Sequence, residues 1–320
     1  RLFSLVLGGC VIVLSGMATK LIFPGNLPIT LSVTGFVAFV PQHLAMMSSV
    51  NNDSMAEVWM ILGLWLIMRR TTPWVIGMVV GFAFLTKATV YVLAIVATVA
   101  AVHRIQKREV RLSYLWQLFA PALFMGIAWW SRNILVYGWP DFLGLINHSE
   151  IVVGQPRTLD WLDRFGALGL SWRFMQTTFN SFWGQFGWMA IPMKSVVYSL
   201  LTTLSIMIVI GNYLLFRFRL LILRVDKLYL LVIVCTLVTV ILQYIGYNAE
   251  FVQHQGRYLF PALLPLALFY VVGVFGWSRY LDNGWPNHKH VWYWLPVGLV
   301  PIMAILAVHA LYYTIIPTFV

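Results

Sequence analysis

The sequence predicts an all-α polytopic membrane protein, with about ten transmembrane helices in one domain over residues 1–320. Three observations predict it. Apolar runs of ~20 residues, the length a helix needs to cross a bilayer, recur along the whole chain. The composition is 61% hydrophobic and only 10% charged, with a mean hydropathy of +0.83, and no stretch reads as a soluble domain. The basic residues also divide by side. Alternate loops, at Lys20, Arg69-Arg70, 103–112, 217–227 and 277–291, hold 13 Lys and Arg against three acids. The other side holds the remaining eight basic residues and seven acids. By the positive-inside rule the basic loops are cytoplasmic. The net charge of +11 is therefore an expression of topology and predicts no nucleic-acid partner.

In order, the spans fall near 2–19, 28–47, 54–68, 74–86, 88–103, 113–131, 196–216, 228–247, 258–276 and 292–312. The chain opens on Arg1 inside an apolar run, without Met and without a signal-peptide pattern, so residues preceding Arg1 are expected. The span near 54–68 ends at Arg69-Arg70. Lys87 divides 74–103 into two pieces too short to cross comfortably, which predicts a helical hairpin dipping from the outer face with Lys87 at its tip. Residues 132–194 are too long for a connector and too aromatic for a disordered one. Trp161, Leu162, Phe165, Leu168, Trp172 and Met175 recur at helical spacing, which predicts an extracytoplasmic amphipathic helix lying in the membrane interface. The run from Phe179 to Trp188 is expected to continue that aromatic belt. Cys10 and Cys235 fall inside spans and predict no disulfide framework. No GxxxxGK[ST] loop occurs and the cytoplasmic loops are short, so an ATP-driven pump is not expected.

Chemistry is expected where ionisable side chains meet the edge of the hydrocarbon, because a charge there is costly without a function. Asp53 and Glu57 are four residues apart and share a helix face. Asp53 fits either a helix cap alone or a cap with a chemical role. Lys87 fits a snorkelling residue or a phosphate ligand. Arg132 and Arg257 fit interfacial anchors or anion ligands. For Arg257, with Gly256 before it and Tyr258 after it at the start of a span, phosphate binding is the reading favoured. His254 and Gln255 precede it in a loop, with His254 expected to be exposed. The histidine spacing predicts no zinc site. Asp53, Glu57, Glu250 and Asn52 offer oxygen to a divalent cation, although no spacing demands one.

These residues also carry a resemblance. Phe39-Val40-Pro41-Gln42-His43 followed by Ser48-Ser49-Val50-Asn51-Asn52-Asp53 resembles a block of bacterial multi-pass glycosyltransferases of the GT-C superfamily, relatives of the dolichyl-phosphate-mannose protein mannosyltransferases. Leu85-Thr86-Lys87, the run from Trp130 to Gly138, the run from Phe182 to Trp188, and Gln255-Gly256-Arg257-Tyr258 are similar to later blocks in the same order. The resemblance implies a sugar carried on a polyprenyl phosphate and transferred at the extracytoplasmic face of the plasma membrane, to a lipid, polyisoprenoid or protein acceptor. It also implies a catalytic aspartate in a first external loop, which would precede Arg1. Within this sequence it puts Asp53 and Glu57 in the catalytic role. Lys87, Arg132, Arg257 and Tyr258 then serve the donor phosphate, and Asn52, His254 and Gln255 the substrate. Two other classes fit the same outer groups. One is a transporter or flippase for lipid-linked sugar. The other is a non-catalytic subunit of a larger membrane-protein complex, for which loss of Asp53 and Glu57 would be the mark. Transporters tend to pair broken helices in inverted repeats, and here one broken pair has no counterpart.

Overall fold

The computed structural model describes residues 1–152, 154–218, 225–284 and 289–319. Among these the chain is a bundle of helices: α1 (Leu2–Ile22), α2 (Leu27–Phe39), α3 (Pro41–Met47), α4 (Asp53–Met68), α5 (Pro73–Thr86), α6 (Val92–Gln106) and α7 (Ser113–Tyr137). Then come α8 (Leu145–Ile151), α9 (Thr158–Gly184), a two-residue antiparallel hairpin of β1 (Gln185–Phe186) and β2 (Ile191–Pro192), α10 (Ser195–Arg217) and α11 (Lys227–Glu250). A 3-10 turn at Gly256–Ala262 leads into α12 (Leu263–Gly284), followed by α13 (Lys289–Tyr293), α14 (Leu299–Ala310) and α15 (Ile316–Phe319).

The helix ends follow local chemistry. Asn26 caps α2, its Oδ1 accepting the Ile29 N–H at 3.1 Å, and Asp226 caps α11 through the Leu228 N–H at 2.8 Å. Pro41 cannot continue the α2 hydrogen-bond ladder and holds Val40 extended, so α3 departs from α2 at 61°. At Lys87 the backbone is extended (φ −165°, ψ 138°), and α5 ends there as the sequence predicts.

The ten predicted crossings are supported in part. Six helical stretches are long and apolar enough to cross a membrane: Leu2–Ile22, Ala88–Gln106, Ser195–Arg217, Lys227–Glu250, Gly256–Gly284 and Leu295–Thr318. The bent pair α2–α3 makes a seventh if taken as one. Of the ten predicted, 54–68, 74–86 and 113–131 are not among them. Helix α4 has 16 residues and α5 has 14, reaching only about 24 and 21 Å against a ~30 Å hydrocarbon core. Helix α7 is long enough, but Gln117, Ser131, Arg132 and Asn133 dilute its hydropathy.

Two predictions about the 132–194 segment also change. The amphipathic run is not one straight helix, because the chain kinks at Gly166, whose φ of 67° lies outside helical space. The run from Phe179 to Trp188 is not wholly an aromatic belt. Phe182 and Trp183 are buried, and Trp183 packs edge-on to Phe36 (5.9 Å) and to Tyr270 (5.4 Å). Phe36 in turn stacks on Tyr270 at 5.1 Å. Edge-to-face and offset rings at these distances add to burial, so this cluster ties α2, the end of α9 and α12 into one core.

The two ends of α4 are charged differently. At the far end Arg70 pairs with Asp226 at 2.9 Å and Glu109 at 3.7 Å, while Arg104 meets Glu109 at 3.3 Å. The basic loops at 69–70, 104–109 and 226–227 therefore gather at one end of the bundle. Asp53 sits at the other.

Gly256 is where the 3-10 turn presses on α9. A Cβ there would fall 2.3 Å from the Thr178 carbonyl oxygen and 2.4 Å from the Phe182 nitrogen, and the Gly256 N–H donates to Ser181 Oγ at 2.7 Å. This glycine thus lets the turn approach α9 closely. Gly256→Ala is expected to force these backbones apart, at about 1–3 kcal/mol, and to lower the thermal unfolding midpoint in detergent.

Candidate functional site

The site begins at the turn between α3 and α4. Asn51 Oδ1 accepts the N–H groups of Asp53 (2.9 Å) and Ser54 (3.3 Å), and its Nδ2 donates to the Met46 carbonyl at 3.0 Å. Asn51 therefore does the capping, which corrects the expectation that Asp53 does it. The Asp53 carboxylate is left to point across to Lys87 Nζ, with which it forms an ion pair. Lys87 reaches it because the helix breaks at that residue. A Lys continuing α5 would project its side chain along the helix face instead. Both partners are mostly shielded from solvent, with side chains 23% (Lys87) and 19% (Asp53) exposed, so neither charge is fully hydrated.

Asp53 and Lys87 line a cavity of about 480 Å³ together with Asn52, Gln255, Arg257 and the β1–β2 hairpin. Arg257 lies with its guanidinium 5.6 Å from the Trp188 ring and 5.5 Å from the Tyr258 ring. No carboxylate among the described residues pairs with it, and its buried Nε has no hydrogen-bond partner. Lys87 Nζ lies 5.9 Å from the Tyr258 ring. A narrower cleft beside the cavity runs past Asp53, Arg257 and Tyr258 to Glu57. The arrangement offers one carboxylate, one paired ammonium and one unpaired guanidinium to a ligand.

Glu57 lies one helical turn further along α4 from Asp53, buried, with Oε2 2.9 Å from His43 Nε2. His43 Nδ1–H donates to the Val37 carbonyl at 3.0 Å, which leaves Nε2 to share a proton with the carboxyl group. The other Glu57 oxygen, Oε1, is buried without a partner.

Not every predicted residue joins this group. Arg132 hydrogen-bonds Asn133 Oδ1 and Tyr137 OH, both at 3.2 Å, and stands between the Trp129 and Tyr137 rings away from the cavity lining. His254 is buried rather than exposed, edge-on to Trp161 at 5.7 Å and Phe174 at 5.0 Å. Glu250 pairs with Arg157 at 2.7 Å, which separates it from Asp53 and Glu57 as an oxygen donor. Among the described residues no three His, Cys, Asp or Glu are grouped to hold a metal ion. Three participants were not predicted: His43, Gln42, whose Oε1 accepts the Gln185 N–H at 2.9 Å, and the hairpin itself. His43 stands 14 residues before Glu57, an offset that gives no periodic link between them.

Comparison with protein-family models, with curated proteins and with solved structures finds no match to this chain.

Burial also acts on His254, pushing its pKa below the ordinary 6.5. As pH falls, the unfolded chain takes up this proton before the folded one, so acid favours unfolding. The effect is absent well above pH 6.5 and grows as pH falls through 6.5 toward the lowered folded value. The thermal midpoint is expected to fall between neutral and mildly acidic pH, and His254→Gln to flatten that part of the curve.

Proposed function

We propose that this protein is a GT-C-like membrane glycosyltransferase that takes a sugar from a polyprenyl-phosphate donor at the extracytoplasmic face of the plasma membrane. One observation carries the reading: a cavity at one end of the bundle holds an unpaired Arg257 beside an Asp53–Lys87 pair. A partly buried guanidinium without an anion is an unfinished interaction, and a phosphate oxygen completes it with charge-assisted hydrogen bonds. The sequence blocks that resemble GT-C transferases, except the run from Trp130 to Gly138, supply residues that line this cavity. The basic loops gathered at the opposite end of α4 support the outward orientation, since such loops stay in the cytoplasm.

The chemistry follows from the charges. A donor phosphate entering beside Arg257 competes with Asp53 for Lys87. As Lys87 turns to the phosphate, the Asp53 carboxylate is released to accept the proton of an acceptor hydroxyl. The hydroxyl oxygen bonds to the anomeric carbon as the bond from that carbon to the phosphate oxygen breaks. The electron pair leaves on polyprenyl phosphate, whose charge Arg257 and Lys87 neutralise. Tyr258 borders both cations and shields them on one side. Glu57, held by His43, fixes the face of α4 from which Asp53 projects. Arg132, outside the cavity, serves as an interfacial anchor.

The test measures binding and transfer separately, in the full chain reconstituted into lipid nanodiscs. Arg257→Ala is expected to weaken polyprenyl-phosphate binding about ten- to hundredfold, the loss of a charged hydrogen bond worth ~1.5–3 kcal/mol. Asp53→Asn is expected to keep or tighten that binding, because Lys87 no longer divides its charge, while single-turnover transfer slows by ~10²–10⁴. Transfer at the normal rate in Asp53→Asn would remove this residue from the base role. Donor binding by the unaltered protein with the glycosyl phosphate left intact would replace transfer by carriage.

A further inference from the structure

The hairpin side of the cavity has a chemistry that phosphate binding does not use. Three side-chain amides meet there, each held at one end. Gln42 accepts the Gln185 N–H, Gln185 Nε2 donates to the Met189 carbonyl at 2.9 Å, and Gln255 Nε2 donates to Gln253 Oε1 at 2.9 Å. The free end of each amide has no protein partner among the described residues. Anchored amides of this kind present fixed donors and acceptors without a charge to desolvate. They suit hydroxyl groups, which both give and accept hydrogen bonds.

Above them stands Trp188. It is 89% exposed, although the chain around it is buried at Phe186 and Met193. Trp188 and Met189 both adopt positive φ, 54° and 72°, a region that side-chain-bearing residues enter rarely and at a cost. The hairpin base is braced so that this conformation holds: Tyr198 OH accepts the Met193 N–H at 2.9 Å and donates to the Gly184 carbonyl at 2.7 Å. The result is a large flat apolar ring over a polar cavity of about 480 Å³, within the ~300–1,000 Å³ range of small-ligand sites.

We propose that this half of the cavity is a carbohydrate subsite, in which a neutral hexopyranose ring lies with its C–H face on the Trp188 indole and its hydroxyls on Gln42, Gln185 and Gln255. As the place of the donor sugar it rests on the transferase reading above, because that reading supplies the phosphate at Arg257. A pyranose has an apolar face of axial C–H groups and an equatorial rim of hydroxyls, which is the pattern that an indole over a ring of amides matches. The Asp53–Lys87 pair and Arg257 sit on the adjoining wall, so the sugar's anomeric carbon falls between the two.

The test uses the nanodisc-held full chain with two kinds of probe. The first compares bare polyprenyl phosphate with polyprenyl phosphohexose for Trp188→Ala and Gln255→Ala. Each variant is expected to lose about tenfold more affinity for the phosphohexose than for the bare phosphate, since the sugar contact is worth about 1.4 kcal/mol or less per group. Trp188→Phe, which keeps an aromatic face, is expected to recover most of the Trp188→Ala loss. The second probe is a set of soluble methyl hexopyranosides, expected to protect Trp188 from N-bromosuccinimide, read by mass spectrometry of the peptide that contains it. Equal losses for both lipids would make Trp188 a membrane contact and overturn the subsite, as would unprotected oxidation. Phosphate binding without any sugar effect would overturn the subsite and leave the donor reading standing. Sugar protection without phosphate binding would keep a carbohydrate subsite and overturn the donor reading.

Discussion

The Asp53–Lys87 ion pair is the contact on which the cavity depends, and it constrains the backbone on both sides. A carboxylate and an ammonium shielded from water each cost several kcal/mol unless they meet, so the chain must deliver them to one point. It does so with two helix ends rather than two helix faces. Asn51 takes over the exposed N–H groups at the start of α4, and the Asp53 side chain is thereby freed from its own helix. At Lys87 the helix stops and the backbone extends, which turns the ammonium away from the α5 axis. The Tyr91 hydroxyl donates to the Phe84 carbonyl at 2.8 Å, satisfying one of the acceptors that the break exposes. Irregular backbone at this depth is tolerated where it lines a cavity, and here it does.

Behind the pair lies a second polar layer that is closed to solvent. His43 and Glu57 satisfy each other between α3 and α4, and Phe260 lies edge-on to the His43 ring at 5.5 Å. Phe260 also meets Phe182, which leads into the Trp183, Phe36 and Tyr270 cluster. The cavity floor is therefore tied to the aromatic core by side-chain contacts alone. The same turn that supplies Arg257 is pinned to α9 at Gly256, so the position of the free cation is set by packing rather than by an ionic partner. An arginine placed in this way keeps its charge available.

How legible this was in the sequence depended on the kind of force involved. Asp53, Lys87 and Arg257 could be singled out because a charge in an apolar chain is conspicuous, and these three line one cavity. The break at Lys87 was legible for the same reason, but only the run before it is short: Ala88–Gln106, expected to be too short to cross, is long enough. His254 is buried rather than exposed because it packs on Trp161 and Phe174, 93 and 80 residues earlier in the chain, and no local pattern encodes that. Trp183 was misassigned to the interface because an aromatic run looks alike in a belt and in a core. Arg132 satisfies itself locally with Asn133 and Tyr137, a geometry that composition does not reveal. The number of spans is supported only in part, because hydropathy marks apolar stretches without measuring the helices that result. The helices α4 and α5 are apolar but short.

The masking of Asp53 by Lys87 has a consequence for selectivity. In the proposed mechanism a carboxylate base facing a glycosyl phosphate would equally serve water. With Lys87 in place, the Asp53 carboxylate is already occupied by an ion pair. In the proposed mechanism a phosphate held by Arg257 is the anion that draws Lys87 away, so the carboxylate is released by the group whose bond it helps to break. Among the described residues Arg257 has no carboxylate partner, so a phosphate need not displace one to reach it. In the proposed mechanism the cation already free and the one that must be captured divide the work: Arg257 recruits the donor, and Lys87 reports its arrival to Asp53.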